Sequence, residues 1–365
     1  MIIGVMGAGQ LGQMLALAGN RLGHQLRFLS PDPDAPAGRF AELIVADYEN
    51  EEALAHFADG LDVATYEFES IPASAVVYVA ERVPTYPPPL ALETAQDRAR
   101  EKECFARLGI PTAPFEPVSS MTDVRNALAR TGLPAMLKSR RFGYDGKGQA
   151  ILRSRDDIGA GWVKVGGVPS IVESVVEFTR ELSIIAVRSR GGEMGFYPLV
   201  ENHHSEGILR FSLAPAPGVA IEMQRKAEEY ATRVMDSLRY VGVLAIELFE
   251  TAGGLVANEM APRVHNTGHW TIEGADTSQF ENHLRAIAGM RIGSTDMGGA
   301  AGMVNVIGQE PDVGRLRDVE NVHIHMYGKA PKPRRKLGHI TVTADDLDGV
   351  RNSVARLRHA LSRQV

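Results

Sequence analysis

The sequence predicts a mixed α/β and α+β protein: an N-terminal domain with a doubly wound parallel sheet, an α+β centre, and a small β-rich C-terminal domain. Three observations predict it. Over the first ~90 residues short β-rich runs alternate with helical patterns, the mark of a parallel sheet flanked by helices. Pro84, Pro87, Pro88 and Pro89 then interrupt the pattern, because consecutive prolines neither donate to a sheet ladder nor continue a helix. A glycine-rich stretch at residues 293–302 makes a second break. At 365 residues the chain is too long for one core. The expected domains are therefore residues 1–90, 91–292 and 293–365.

The elements follow in order. Residues 1–6 (MIIGVM) read as the first strand, and residues 10–23 as a helix, with Leu11, Met14, Leu15, Ala18 and Leu22 on one face. Strands are expected at 25–29, 43–46 and 62–66, with a helix at 51–58. The central segment opens with one helix over about residues 91–108 and continues with strands at 136–138, 170–173, 182–187 and 243–255. A helix at 279–287 precedes the glycine-rich break. Strands at 303–307, 322–326 and 339–342 and a closing helix at 345–361 complete the chain.

Composition excludes several functions. Hydrophobic residues make up 44% and charged residues 23%, an ordinary globular balance. The net charge of −6 arises from 39 basic and 45 acidic residues mixed along the chain, which leaves no broad basic face for a nucleic acid. No stretch approaches the ~20 apolar residues needed to span a bilayer. The apolar start lacks a basic leading region, and Gln10 and Gln13 interrupt it. The single cysteine, Cys104, excludes an internal disulfide and fits a reducing, cytoplasmic location.

Four constellations carry chemistry. Gly7, Gly9 and Gly12 form GxGxxG between a strand and a helix, with Asp32 20 residues further on. That is the dinucleotide fingerprint, although a tight strand-to-helix turn needs glycines anyway and Asp32 stands in a Pro-Asp-Pro turn. Lys138 ends a strand and is followed by Arg140, Arg141, Gly143, Tyr144, Asp145, Gly146, Lys147, Gly148 and Gln149. Such a loop folds its amides over phosphate oxygens while its lysines neutralise them. It is not a Walker loop, since GK[ST] is absent; the alternative is an exposed basic turn.

In residues 244–260 two strands flank a turn centred on Gly253, so that Glu247 and Glu259 are equidistant from it. A hairpin of that register opposes the two carboxylates on one face. Like charges opposed in an apolar ladder call for a cation between them. Magnesium shared with ATP phosphates meets that need. The alternative is separate basic partners or a slipped register. Immediately beyond, Asn258, Arg263, His265, Asn266, His269 and Trp270 gather polar groups suited to a small planar anion and a transferring phosphoryl group. Regular zinc-ligand spacing is lacking.

These features in this order resemble the ATP-grasp enzymes, and within them the N5-carboxyaminoimidazole ribonucleotide synthase family, which serves bacterial and fungal purine synthesis. The resemblance covers nearly the whole chain. It is carried by GAGQLGQM (7–14), TYEFE (65–69), GYDGKGQ (143–149) and NEMAPRVHNTGHWT (258–271). It implies an ATP-grasp fold of two lobes clamping ATP between them, and no NAD at GxGxxG. By match of motif, Arg98 and Lys138 would meet ATP phosphates, and the loop from Gly143 to Gln149 would close over them. Glu173, Ser174, Val175 and Val176 would hold adenine, Glu181 the ribose, and His204 would lie nearby with Asn258. Glu247 and Glu259 would bind magnesium. Arg263, His265 and Asn266, with Lys138, would act on bicarbonate or the carboxyphosphate made from it.

The aminoimidazole ribonucleotide would meet Gln10, Leu11, Tyr144, Asp145, Lys147, Arg335 and Lys336. The basic run at 332–336 fits an anion independently. The family tends to show glycine where Arg334 stands here, which puts the phosphate contact at that turn in question. The resemblance also implies a cytoplasmic homodimer. Rival readings are another grasp ligase, such as a formate-using glycinamide ribonucleotide transformylase or a peptide-type ligase, a nicotinamide oxidoreductase resting on Gly7, Gly9, Gly12 and Asp32, and a nucleotide-binding sensor without turnover.

Overall fold

The structure, a computed structural model, describes residues 1–143, 146–316 and 319–362. In chain order the elements are β1 (Ile2–Met6), α1 (Gln10–Arg21), β2 (Gln25–Ser30), β3 (Glu42–Val45), α2 (Glu51–Ala58), β4 (Val63–Tyr66), α3 (Ala73–Ala80), α4 (Pro89–Ala95) and α5 (Arg98–Arg107). Next come β5 (Phe115–Val118), α6 (Met121–Thr131), β6 (Ala135–Ser139), β7 (Gln149–Leu152), α7 (Ile158–Lys164) and β8 (Ser170–Ser174). The central sheet adds β9 (Arg180–Arg188), β10 (Met194–Phe196), β11 (Val200–Ser205), β12 (Ile208–Ala214), α8 (Ile221–Ser237), β13 (Gly242–Thr251) and β14 (Gly254–Ala261). The chain ends with α9 (Thr271–Gly274), α10 (Gln279–Ile287), β15 (Ala300–Ile307), β16 (Val322–Met326), β17 (Lys336–Ala344) and α11 (Leu347–Ser362).

The N-terminal sheet has the order β3-β2-β1-β4 with every pairing parallel. The chain moves outward from β1 to β3 and then crosses back to β4, so the connections reverse between β1 and β4. In doubly wound sheets that reversal opens a crevice at the carboxyl ends of the two strands. The predicted face of α1 is the buried one: Leu11, Met14, Leu15 and Ala18 share a core with Leu284 and Ile287 of α10 and Ile185 of β9. Burying each of the larger side chains contributes on the order of 1.5–3 kcal/mol, which docks this domain on the central one. Buried His283 reinforces the joint, its Nε2 2.9 Å from Thr65 Oγ1 and its Nδ1 accepting from the Val243 N–H. Burial lowers its pKa to about 3, so the ring is neutral.

The other two sheets form the central lobes. The smaller is antiparallel, in the order β5-β8-β6-β7. The larger runs β14-β13-β9-β11-β12-β15-β17-β16, with β10 beside β9. The C-terminal strands therefore build no sheet of their own: β12 pairs with β15 through Phe211–Val304 to Ala214–Ala301, and a single nine-stranded sheet crosses the glycine-rich break.

One helix differs from expectation. The run at 91–108 is two helices, α4 and α5, and the break falls at Gln96 and Asp97. Asp97 caps α5, accepting from the Ala99 N–H at 3.0 Å, and its carboxylate is held by Arg140 Nε and a terminal nitrogen at 2.9 and 2.7 Å. An N-cap aspartate ends the preceding geometry and starts a new helix. Among the described residues no helix is long and apolar enough to cross a membrane.

Candidate functional site

The β13–β14 hairpin supplies the two carboxylates. Its turn consists of Ala252 and Gly253, with Thr251 opposite Gly254 and Leu248 opposite Ala257. Continued unchanged, that register would place Asn258 across from Glu247. A bulge intervenes, so that Glu247 faces Glu259. The opposition anticipated from the sequence is present, but it arises from the extra residue at the bulge rather than from a turn centred on Gly253. Bulges re-aim side chains in this way, and here one turns both Asn258 and Glu259 toward the same cleft.

The pair is electrostatically uneven. Burial, and then the charge of Glu259, push the Glu247 carboxyl up to about 7. Glu259 keeps 39% of its side-chain surface open to the cleft. Burial also works against its charge, but Arg98, 2.8 Å away, with Lys138 and Lys102 behind it, holds Glu259 below the usual carboxylate range. One carboxylate is thus ionised beside a second that a further cation would ionise.

Helix α5 explains where that positive charge comes from. Arg98, Glu101 and Lys102 lie at helical spacing i, i+3 and i+4, so one face of the helix presents all three to β14. Arg98 reaches Glu259 and donates to the Gly143 carbonyl at 3.0 Å. Glu101 accepts from the Met260 N–H at 2.6 Å, and burial followed by the charge of Glu259 holds its carboxyl well above the usual range. Lys102 donates to the Asn258 carbonyl at 3.3 Å and lies 3.4 Å from Glu173; Lys138 donates to the same carboxylate at 2.7 Å. Motif matching finds Arg98 alone. The helical period from Arg98 is the signal that adds Glu101 and Lys102.

A cleft of about 1320 Å³ lies above this floor and is lined by all three segments of the chain. Gly143, Lys147 and Gln149 border it, as do Glu173, Ser174, Val175, Val176, Glu181 and His204. Gly146 and Gly148 do not border it; their positive φ values of 77° and 65° shape the loop instead. A Cβ on Gly148 would lie 2.5 Å from Ser139 Oγ. Tyr144 and Asp145 lie outside the described residues. The N–H groups of Ser174 and Val175 are engaged by the carbonyls of Pro114 and Pro134 at 2.9 and 3.3 Å. These two residues therefore offer a base their carbonyls or side chains rather than their amides.

Phe178 and Phe249, stacked at 4.7 Å, add a flat apolar wall that the sequence reading passes over. Burial opposes protonation of His204, but Glu181, 2.8 Å from its Nδ1, and Glu247 raise its pKa above the ordinary value.

Arg263, His265 and Asn266 follow β14 along the same cleft. One terminal nitrogen of Arg263 lies 3.0 Å from Glu69 and the other donates to the Val264 carbonyl at 2.9 Å. The Nε is buried with no partner among the described residues. Gln279 clamps the main chain of His265 from both sides, accepting its N–H at 2.9 Å and donating to its carbonyl at 2.6 Å. The His265 ring lies 2.9 Å from Thr267 Oγ1 through Nδ1 and 3.7 Å from Glu247 through Nε2. Burial, then the charge of Arg263, hold it well below its usual pKa, so it is neutral. Asn266 and Asn305 exchange amide hydrogen bonds at 2.7 and 3.2 Å, fixing Asn266 against β15.

The far wall joins the chain ends. Gln10 and Leu11 at the start of α1 border the cleft with Lys329, Arg335 and Lys336. Lys329 bonds to the Gln10 side chain, Gln13 donates to the Met326 carbonyl at 3.1 Å, and Arg39 donates to the Gly328 carbonyl at 3.0 Å. Lys329, which no motif singles out, thus joins Lys332, Arg334, Arg335 and Lys336 on the same wall. Arg334 has φ of 66°, the left-handed conformation that glycine favours. The turn keeps a glycine-like shape, and the arginine head reaches Glu206 at 3.1 Å.

The GxGxxG loop is closed by an acid of the same domain. Glu67, just after β4, accepts from the Gly9 N–H at 2.8 Å and the Gly12 N–H at 3.3 Å. Asp32 accepts from the Asp34 N–H at 3.0 Å and so shapes its own turn.

Comparison with known proteins agrees across the whole length. Residues 1–96 match the ribonucleotide synthetase preATP-grasp domain, residues 103–280 the ATP-grasp domain, and residues 301–353 the phosphoribosylaminoimidazole carboxylase C-terminal domain. The N5-carboxyaminoimidazole ribonucleotide synthase of Pseudomonas aeruginosa is 52% identical over 346 residues, 95% of each chain. The crystal structure of the Thermus thermophilus synthetase superposes with a TM-score of 0.94 at 53% identity, covering 99% of this chain and 98% of that one. A structure of the Aspergillus clavatus synthase in complex with ADP and 5-aminoimidazole ribonucleotide superposes at 0.92 with 32% identity, again covering 99% and 98%.

Proposed function

This chain belongs to the N5-carboxyaminoimidazole ribonucleotide synthase family of ATP-grasp ligases, and we propose that its cleft carries out that reaction with the residues described above. It is an ATP-dependent carbon–nitrogen ligase that carboxylates aminoimidazole ribonucleotide in purine biosynthesis. The carboxyl source in this reading is bicarbonate. A bicarbonate oxygen attacks the γ-phosphorus of ATP, the bond to the β–γ bridging oxygen breaks, and carboxyphosphate and ADP form. The exocyclic amine of the ribonucleotide then takes the carboxyl group, either directly from carboxyphosphate or as carbon dioxide released from it in the closed site, with phosphate and a proton as the other products.

Arg98, Lys138 and Lys147 neutralise the phosphates, and preorganised charge of this kind supplies much of the stabilisation in phosphoryl transfer. Arg263 sets its guanidinium beside the bicarbonate, with Asn266 and the neutral His265 next to it. Neutral His265 donates or accepts a hydrogen bond without adding charge beside Arg263. Lys329, Arg335 and Lys336 face the ribonucleotide phosphate across from Gln10 and Leu11. A homodimer in the cytoplasm completes the proposal, supported by the family resemblance and by the buried, unpaired Cys104.

Glu247 and Glu259 would hold magnesium. The fit rests on their chemistry: two hard oxygen donors opposed across one hairpin, one of them pushed up to about 7 by burial and by the charge of the other. Among the described residues no group of three or more acid, histidine or cysteine side chains converges as a closed metal cage. Two carboxylates leave positions for water and phosphate oxygens, as magnesium prefers. When bound, the ion would withdraw charge from the phosphates and align them.

A pH dependence follows. The folded pKa of Glu247, about 7, lies above its unfolded value. Its contribution to stability is therefore fully present below the unfolded pKa and is lost as pH rises through 7. Magnesium has to displace that proton, so its affinity should fall up to about tenfold per pH unit below 7. The magnesium-induced rise in melting temperature should accordingly be larger at pH 8 than at pH 6. Equal shifts at both values would contradict the assignment.

The observation that carries the functional reading is the opposed carboxylate pair at the floor of a cleft lined by all three segments of the chain. The test is ADP production from MgATP and bicarbonate with and without aminoimidazole ribonucleotide. Stimulation by that compound alone, and not by glycinamide ribonucleotide with formate, is the expected result. Turnover indifferent to the ribonucleotide would refute it.

A further inference from the structure

We propose that Glu67 positions the ribonucleotide wall of the cleft: its carboxylate is an internal anion seated where glycine loops of this kind take a phosphate. It fixes the pose of Gln10 and Leu11 and denies the seat to a dinucleotide. The inference rests on the reading of Gln10 and Leu11 as ribonucleotide contacts.

The placement supports it first. The loop 7–12 leaves the carboxyl end of β1, and Glu67 leaves the carboxyl end of β4, its neighbour. That is the crevice in which doubly wound sheets bind nucleotides. The contacts support it next. The Gly9 and Gly12 amides that would meet a pyrophosphate both donate to Glu67, at 2.8 and 3.3 Å. A Cβ on Gly7 would stand 2.7 Å from Glu67 Oε1, and one on Gly9 3.2 Å from it. The glycines are therefore needed for the close approach of the protein's own acid.

Charge is the third support. Glu67 is only 6% exposed, and a buried carboxylate persists only where it is compensated. Burial pushes its carboxyl up, and the Gly9 amide, the charges of Arg263 and Lys329 and the Gly12 amide offset that only in part. Lys329 in turn bonds to Gln10, the residue between the two glycines. One chain of contacts thus runs from Glu67 through the loop to the side chain facing the cleft.

The test uses the full-length enzyme with Glu67→Gln, which keeps the shape, and Glu67→Ala, which empties the seat. The KM for the ribonucleotide should rise between roughly tenfold and a hundredfold, while the KM for MgATP stays at the wild-type value. Formate added to Glu67→Ala should lower the ribonucleotide KM again. Inorganic pyrophosphate should bind Glu67→Ala, and not the wild type, by calorimetry without ATP. An unchanged ribonucleotide KM in folded Glu67→Gln overturns the proposal, as does a parallel rise in both KM values. Should Glu67→Ala fail to fold, Glu67→Gln decides. Gln10→Ala separates the premise from the inference: an unchanged ribonucleotide KM in that variant sinks the reading of the wall itself. A raised one beside an unaltered Glu67→Gln sinks only the role of Glu67.

Discussion

Replacing Glu259 with glutamine is expected to lower ribonucleotide-dependent ADP formation by roughly 10²–10³-fold without unfolding the protein. The size of the effect follows from the three groups that read the charge of Glu259. Arg98 loses its partner at 2.8 Å, and an amide oxygen is a weaker acceptor for a guanidinium. Glu247 loses the neighbour whose charge helps to raise it, so its proton is held less tightly, but the cation seat keeps only one carboxylate. Glu101 is relieved of the same repulsion. Two relieved like-charge contacts offset one lost ion pair, so the melting temperature of the free protein should change little while the MgATP-induced shift collapses. Near-normal turnover in Glu259→Gln would remove the hairpin from the catalytic centre.

The hairpin was readable from the sequence because everything that makes it is local. Two β-rich runs, a turn and two acids fall within residues 244–260, and a register error of one residue is all that a bulge can introduce. The N-terminal helix was readable for the same reason: Leu11, Met14, Leu15 and Ala18 are one face of one element, and that face is buried. Where partners are distant in sequence, legibility fails. The break before Arg98 is sealed by Arg140, 43 residues on, so a propensity reading joins α4 and α5 into one helix. The pairing of β12 with β15 crosses α8, the hairpin and α10, and nothing in either strand announces it.

The same distinction sorts the site. The cations and acids held in motifs, such as Lys138, Arg263 and the basic tail, could be named before their geometry was known. Lys329 could not, because it acquires its role from the distant side chain of Gln10; Glu67 lies inside TYEFE and Lys102 at helical spacing from Arg98, but their partners, the amides of Gly9 and Gly12 and the carboxylate of Glu173, show only in the fold. The GxGxxG motif shows the limit most plainly. Its glycines and the spacing to Asp32 are those of a dinucleotide loop, and only the carboxylate arriving from the end of β4 shows that its amides already have an anion.

Arg263→Lys is expected to raise the KM for bicarbonate and to lower kcat by roughly 10²-fold or more, with little loss of stability. Lysine is the informative replacement because it keeps the charge beside Glu69. Glu69 has its carboxyl pushed up by burial and pulled down first by Arg263. Removing the cation altogether would leave that acid without its main counter-charge and would confuse a folding defect with a catalytic one. The arginine makes two contacts with its terminal nitrogens, to Glu69 at 3.0 Å and to the Val264 carbonyl at 2.9 Å, and these aim the planar head. Its buried Nε then has no protein partner among the described residues. A lysine ammonium can satisfy Glu69, but it has no second donor plane left for a carbonate-shaped anion. Bicarbonate titrations of ADP formation check the claim, with MgATP affinity as the control that should not move. If the lysine enzyme kept a wild-type bicarbonate KM, the anion would have to be held elsewhere, and the polar cluster behind Glu259 would be a structural support for the hairpin only.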